Sequence, residues 1–330
     1  MAKEARAAAT RKGRKAPAKK SARTTRNAAG TKTSGKKAGK KARARKAALP
    51  VALPVGPIVA RHRARRAAGV PPVADAVAGA GSVIDQITAL AARSKIAAHG
   101  WKDDGGKAPL AYIKGMALVY ARVYCKLKAG DPAVLEMAKA KSAGNNQDVL
   151  VFYDPIFVAA GLPNNGSGAD ILRHLFVLLT GVGVRESSGR YCMGRYMRQN
   201  FDTADSAEAG LFQASFDVTP HCKTILTQLF DHYSANPSGF LDTFKAGISC
   251  DAQNWRNWGD PGAPGFLFQQ LTKTCPAFAA EFAAVGLRNH RSTWGSINNR
   301  LVEVVPDCDA MFKDVEALMD SAPGLCAGVL

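Results

Sequence analysis

The sequence of 330 residues lacks several features that would place it in a familiar class of protein. No run of 18 uninterrupted apolar residues occurs, so the sequence predicts no transmembrane segment. None of the seven cysteines is paired at CxxC spacing, which argues against a zinc ribbon or a thioredoxin-type motif. Walker-type and dinucleotide-binding glycine motifs are also missing. We therefore expect neither a metal nor a cofactor.

Net charge is nearly absent from most of the chain and is concentrated at its start. Residues 1–70 hold 22 lysines and arginines against the single acid Glu4, whereas residues 71–330 hold 23 bases and 25 acids. The formal net charge of +19 thus belongs to the N-terminal part. We interpret residues 1–70 as a disordered polycationic arm with a proline-rich linker, and residues 71–330 as one folded domain.

The arm has the composition of a flexible polycation. Residues 2–48 contain no aromatic residue and no Leu, Ile or Val, so they bury too little apolar surface to offset the entropy of ordering. Their composition resembles the lysine- and alanine-rich tails of linker histones. We expect residues 1–48 to bind an anionic polymer, either nucleic acid or a component of the cell envelope, in a salt-dependent way. A purely solubilising tail is the other interpretation.

The cysteines leave the compartment open. All seven lie in residues 71–330, and an odd number leaves at least one thiol free within a monomer. An exported protein would hold two or three disulfides, whereas a cytosolic one would keep the thiols as small core residues. The start of the chain contains no clear signal peptide, because its basic region is far too long and the apolar stretch after it contains three prolines.

Residues 71–330 are dominated by the apolar spacing of helices. The clearest predicted helices are residues 109–127, 171–184, 276–285 and 306–319. Asp131 and Asp170 are the predicted N-caps of two helices. The stretch 171–184 is apolar almost all round and so belongs at the centre of a domain. Residues 149–153 are the best strand candidate. The sequence therefore predicts a mainly-α fold.

A carboxylate follows the central apolar stretch. Glu186 comes two positions after residues 171–184, and Gly189 is a common type of helix stop. Burial at the end of such a helix disfavours the charged carboxylate and raises its pKa. A carboxyl group that stays protonated near neutral pH is what glycoside cleavage needs as its general acid. The alternative interpretation is a surface ion pair of Glu186 with Arg185 or Arg190.

A second segment, Gly210-Leu211-Phe212-Gln213, gives Glu186 a context. Together with Glu186-Ser187 it resembles the lysozyme-like superfamily, specifically goose-type lysozymes and soluble lytic transglycosylases. Those proteins carry a catalytic Glu followed by Ser at a helix end, and farther along Gly-Leu-Met-Gln or its Phe variant. The resemblance covers about 30 residues directly. It implies a single lysozyme-like helical domain that cleaves peptidoglycan or a related N-acetylated β-1,4 polymer.

The resemblance also implies roles for single residues. Glu186 would be the general acid and base. The substrate-binding residues that it implies are Ser187, Gly210, Leu211, Phe212 and Gln213. Ser187 would orient the carboxyl or a sugar N-acetyl group, and Gly210 would let the backbone approach the sugar closely. Phe212 would stack on a sugar ring, and Gln213 would bond its hydroxyls.

A second carboxylate separates two mechanisms. An inverting hydrolase needs one about 6.5–9.5 Å from the acid to activate water, whereas a transglycosylase reuses its single Glu. The candidates are Asp202, Asp205 and Glu208, although each one taken singly fits a solvated loop acid or a helix cap better. If the domain is active, we expect it in the cell envelope or outside the cell. The alternative is a catalytically inactive lysozyme-like protein whose basic arm binds nucleic acid or another polyanion.

Two features depart from the family pattern or stand outside it. Residues 190–207 are longer than the usual connection and contain Cys192. Trp255, Trp258 and Trp294 lie among Asn and Gly residues, where an aromatic ring suits either sugar stacking or half-buried packing between helices.

Overall fold

The computed structural model describes residues 81–102, 106–194 and 203–330. All of them belong to the unit Pro71–Leu330. The predictions for residues 1–70, disorder and polyanion binding included, lie outside the described residues, as does Asp202. Within the described ranges the chain is mainly helical, which confirms the predicted mainly-α composition of the fold.

Thirteen α-helices occur in the described ranges, together with one short ribbon. The helices are α1 (Val83–Arg93), α2 (Leu110–Lys128), α3 (Pro132–Ala138), α4 (Val149–Phe152), α5 (Asp154–Ala159), α6 (Ala169–Ser187), α7 (Lys223–Ala235), α8 (Leu241–Lys245), α9 (Ala252–Trp255), α10 (Pro264–Thr274), α11 (Pro276–His290), α12 (Gly295–Asn298) and α13 (Pro306–Asp320). Strands β1 (Gly100–Trp101) and β2 (Gly106–Lys107) pair antiparallel, with Gly100 opposite Lys107. None of the helices in these ranges is long and apolar enough to cross a membrane.

Local signals locate several helices correctly. Helices α2, α6, α11 and α13 contain nearly all of the four predicted stretches and extend beyond them. Asp131 caps α3 as expected, because its carboxylate accepts the backbone N–H groups of Ala133 and Val134 at 2.9 and 3.1 Å. Pro132 occupies the first turn, where its missing N–H has no cost.

Two local predictions are wrong. Gly168, not Asp170, is the N-cap of α6, and Asp170 lies in the first turn, where it pairs with Arg173 at 2.6 Å. Residues 149–153 do not form a strand but contain helix α4. Asp148 caps this helix by accepting the N–H of Leu150 at 3.0 Å. A short apolar run has no periodicity that distinguishes a buried strand from a buried helix.

Helix α6 lies at the centre of the domain and contacts α2, α3, α11, α12 and α13. Its residues from Ile171 to Val184 are all buried. Gly183 allows the close approach of α2, since a Cβ at this position would lie 2.2 Å from the hydroxyl of Tyr112. That hydroxyl donates to the carbonyl of Thr180 at 2.8 Å. The packing therefore fixes the end of α6, where Glu186 lies.

Buried ion pairs connect the central helices. Arg173 on α6 contacts Asp309 at 2.6 Å and Glu316 at 3.0 Å, both on α13. Lys126 on α2 contacts Glu281 on α11 at 2.8 Å, and the carboxylate of Glu281 is fully buried. Removal of one partner from such a pair leaves an uncompensated buried charge, which costs about 3–5 kcal/mol. These pairs therefore hold the helices in register around α6.

Two disulfides stabilise the domain. Cys125 on α2 is bonded to Cys326 near the C-terminus, 201 residues away. Cys192, which follows α6, is bonded to Cys250, which precedes α9. The three remaining cysteines are free thiols: Cys222, Cys275 and Cys308. The second disulfide attaches the long segment after α6 to the rest of the domain.

Candidate active site

Glu186 occupies the last turn of α6. The helix ends because Ser188 and Gly189 adopt left-handed conformations, with φ of 51° and 70°. The N–H of Ser188 then donates to the carbonyl of Val184 at 2.8 Å, and that of Gly189 to Gly183 at 3.0 Å. Gly189 thus contributes to the helix stop as predicted. Glu186 is half-buried at this end.

The Glu186 carboxyl opens onto a groove of about 320 Å³. The residues that line it are Arg185, Glu186, Glu208, Gln213, Thr293, Trp294, Gly295, Ser296 and Leu301. Three separate parts of the chain meet here: the end of α6, the segment around Gln213, and the start of α12. The two halves of the sequence motif, Glu186 and Gln213, therefore line one groove although they are far apart along the chain.

The groove contains a pair of acids in different surroundings. Burial raises the pKa of Glu186, while the Ser296 hydroxyl, which donates to its Oε1, and the positive charge of Arg185 oppose that rise. Burial and then the negative charges of Glu186 and Asp217 raise the pKa of Glu208 to about 7. Each acid has the desolvated character that general acid–base chemistry requires.

Of the three candidate second carboxylates, the structure places Glu208 in the groove. Asp205 lies elsewhere and accepts the backbone N–H of Gly265 at 2.9 Å, so it holds the first turn of α10. It lines a different hollow of about 520 Å³ together with Trp258. Asp202 lies outside the described residues. Glu208 is thus the described candidate that shares a groove with Glu186.

The segment from Ala209 to Ala214 forms a tight loop. The N–H of Ala209 donates to the carbonyl of Ala214 at 3.0 Å, and Gly210 and Gln213 have positive φ values of 76° and 43°. The amide of Gln213 donates to the carbonyl of Gly210 at 3.0 Å. This hydrogen bond fixes the Gln213 side chain at the wall of the groove.

The other motif residues lie away from the groove, contrary to the roles that the resemblance implied. Leu211 and Phe212 are fully buried in the core, so the Phe212 ring does not present a stacking surface to a sugar. Ser187 is buried and donates its hydroxyl to the carbonyl of Gly183 at 2.8 Å, one helical turn back. A Cβ at Gly210 would lie 2.9 Å from Thr272 Cβ. Gly210 therefore serves packing against α10.

The sequence motif did not identify the part of the groove formed by residues 293–296. Trp294 is buried, and its indole N–H donates to the carbonyl of Phe212 at 3.0 Å, so its role is packing. This bond connects the loop that follows Ala209 to the turn that carries Ser296. The only sequence signal for this part of the groove was the Trp among polar residues. Trp255 stays 42% exposed and packs edge-on against Tyr191, away from the groove.

Two histidines pack against each other close to Asp217. The rings of His221 and His290 stack with centroids 3.3 Å apart. Burial and then the neighbouring His221 lower the pKa of His290, while the charge of Asp217 opposes this. Asp217 also accepts the hydroxyl of Ser215. The negative charge of Asp217 therefore acts both on Glu208 in the groove and on His290.

The chemistry available to the groove comes from its side chains. In the part of the chain that the structure describes, no three His, Cys, Asp or Glu residues cluster closely enough to hold a metal ion. The groove offers two desolvated acids, one cation, and the hydroxyl and amide groups of Thr293, Ser296 and Gln213. No protein-family model, no curated protein and no solved structure matches the chain, so its function is inferred from this groove.

Proposed function

We propose that this chain is a glycan-cleaving enzyme of the lysozyme or lytic transglycosylase type. Its substrate would be peptidoglycan or a related N-acetylated β-1,4 polymer, and Glu186 would take part as an acid–base residue. The observation that carries the proposal is the pair formed by Glu186 and Glu208 in one open groove. Glycoside hydrolysis uses two carboxyl groups, one of them protonated at working pH.

The walls of the groove support a polar, hydroxyl-rich substrate. Gln213, Thr293 and Ser296 supply an amide and two hydroxyl groups, which pair with sugar hydroxyl and N-acetyl groups. The groove is not an enclosed cavity. A segment of a polymer can therefore reach it from solvent.

The two disulfides support action outside the reducing cytosol. Disulfides persist in oxidising compartments such as the periplasm and the extracellular space. Cys125–Cys326 and Cys192–Cys250 would be kept there. This agrees with a polymer of the cell envelope as the substrate. The basic residues 1–48 would then tether the enzyme to an anionic polymer.

Glycan cleavage by the full chain tests the proposal. The oxidised protein is incubated with peptidoglycan and with a chitin-type polymer, and soluble fragments are measured by mass spectrometry. We expect release by the parent protein and a loss of about 100-fold to 10,000-fold in Glu186→Gln, the range for removal of an acid–base residue. Asp242→Asn is the control, because this exposed carboxylate pairs with Lys245 on α8.

Two outcomes would contradict the proposal. One is the absence of fragments from every wall and chitin polymer with a folded, oxidised protein. The other is equal release by the parent protein and Glu186→Gln. Either result would leave the inactive, polyanion-binding alternative as the better account of the chain.

A further inference from the structure

The two acids in the groove are not equivalent, and their difference suggests how they divide the work. Glu186 accepts a hydrogen bond from Ser296 and lies beside Arg185. Glu208 faces the acids Glu186 and Asp217. We infer that Glu208 holds the proton of the pair and Glu186 is its ionised partner, which reverses the role that the motif suggests for Glu186. This inference rests on the proposed function.

Two neighbours of Glu186 favour its charged form, against the burial that raises its pKa. A hydroxyl that donates to a carboxylate stabilises the negative charge, and a nearby guanidinium does the same. Ser296 is buried in α12 and cannot turn freely to solvent. The turn that carries it is held by Trp294, whose indole donates to the Phe212 carbonyl at 3.0 Å. Ser296 is therefore a positioning residue for the Glu186 carboxylate.

The surroundings of Glu208 favour its neutral form. Among the described residues, no hydrogen bond or ion pair reaches its carboxyl, and it is largely desolvated. The neighbouring charges that act on it, Glu186 and Asp217, are both negative. Arg185 lines the same groove and its positive charge acts on Glu186, while His290 faces Asp217 and the stacked His221. Burial and the two acids raise the pKa of Glu208 to about 7, consistent with a retained proton.

This division defines a balanced hydrolytic step. Glu208 gives its proton to the glycosidic oxygen while the bond from that oxygen to the anomeric carbon breaks. The electron pair of the bond stays on the oxygen, which leaves as a sugar hydroxyl. Glu186 takes a proton from a water molecule whose oxygen bonds to the anomeric carbon. One water is consumed, and solvent returns the proton from Glu186 to Glu208.

The protonation order can be measured without catalysis. The side-chain carboxyl carbons of glutamate are labelled with ¹³C and titrated by NMR in the oxidised full chain, and Glu186→Gln and Glu208→Gln assign the two signals. We expect the higher midpoint to disappear in Glu208→Gln. In Glu186→Gln the pKa of Glu208 should fall, because one negative charge is gone. Ser296→Ala should raise the pKa of Glu186, whereas Ser321→Ala, an exposed serine on no groove wall, should not.

A substrate with an activated leaving group separates the catalytic roles. An aryl chito-oligosaccharide carries a good leaving group, so its cleavage needs little protonation by a general acid. We expect Glu208→Gln to lose at least about 100-fold on the polymer but less than about 10-fold on the aryl glycoside. Glu186→Gln should lose activity on both substrates, and azide, which needs no base, should restore it.

The inference and the proposed function fail in distinguishable ways. The division of roles is overturned if the higher NMR midpoint belongs to Glu186. It is also overturned if the aryl glycoside restores activity to Glu186→Gln and not to Glu208→Gln. The proposed function fails if the parent protein cleaves neither substrate, and the NMR titration still decides which acid holds the proton. An unchanged pKa of Glu186 in Ser296→Ala would remove the positioning role of Ser296.

Discussion

Replacement of Gly210 by alanine tests the packing that supports the groove. Gly210 has a φ of +76°, and an added Cβ would lie 2.9 Å from Thr272 Cβ and 3.1 Å from the Thr272 carbonyl oxygen. Neither Thr272 atom is the free end of a flexible side chain, so the backbone itself would have to move. Because Glu208 and Gln213 flank this glycine, the same movement would displace two residues of the groove.

The structure gives the size of the effect. A residue with a Cβ in the left-handed region costs about 1–2 kcal/mol. An extra methyl group in a closed contact costs about 1–3 kcal/mol more. We expect Gly210→Ala to lower the free energy of unfolding by about 2–5 kcal/mol. At roughly 2–4 °C per kcal/mol for a domain of this size, the Tm should fall by several degrees or more.

Gly130→Ala is a matched control for this prediction. Gly130 has the same φ of +76°, but nothing lies within 4 Å of a Cβ added there. It should therefore show only the conformational cost of about 1–2 kcal/mol. The assay is guanidinium unfolding of both oxidised variants, followed by far-UV circular dichroism. Equal losses in the two variants, or a Gly210→Ala protein as stable as its parent, would refute the Thr272 contact.

Three further predictions concern charge and covalent bonds. Glu208→Gln should raise the free energy of unfolding by roughly 1–3 kcal/mol at pH 8 but little at pH 5. The reason is the raised pKa of Glu208, which makes ionisation of the folded protein costly as the pH rises through about 7. Equal gains at both pH values would contradict this. Replacement of both Cys125 and Cys326 by alanine should lower the free energy of unfolding in urea by about 2–5 kcal/mol. Cys222→Ala, which removes a free thiol, should lower it less. Deletion of residues 1–48 should abolish salt-dependent binding to DNA or heparin in filter assays, and binding retained by the shortened chain would exclude the arm.

Several features follow from local sequence alone. Apolar spacing predicts the helices, because a residue's burial repeats every 3.6 positions whichever helix packs against it. The cap at Asp131 is local as well, since its carboxylate bonds N–H groups two and three residues away. Glu186 at the end of the most apolar helix is likewise visible in the sequence. By contrast, Asp170 lies inside the first turn of α6, where its carboxylate pairs with Arg173.

The motif residues divide by what surrounds them. Glu186 and Gln213 line the groove, but Phe212 and Leu211 are needed by the core and Gly210 by Thr272. A family motif records that residues are required without recording whether substrate or packing requires them. Burial, which depends on every neighbouring helix, decides between the two.

The sequence by itself determined the split between a basic N-terminal part and a neutral helical part, the positions of the main helices, and Glu186 as the first acid to examine. Only the tertiary structure selected Glu208 over Asp205 as its partner and brought Ser296, 110 residues away, to the Glu186 carboxyl. The reason is physical: charge and helical periodicity are properties of neighbours along the chain. Desolvation, electrostatic coupling and hydrogen bonding between distant residues arise when the helices pack.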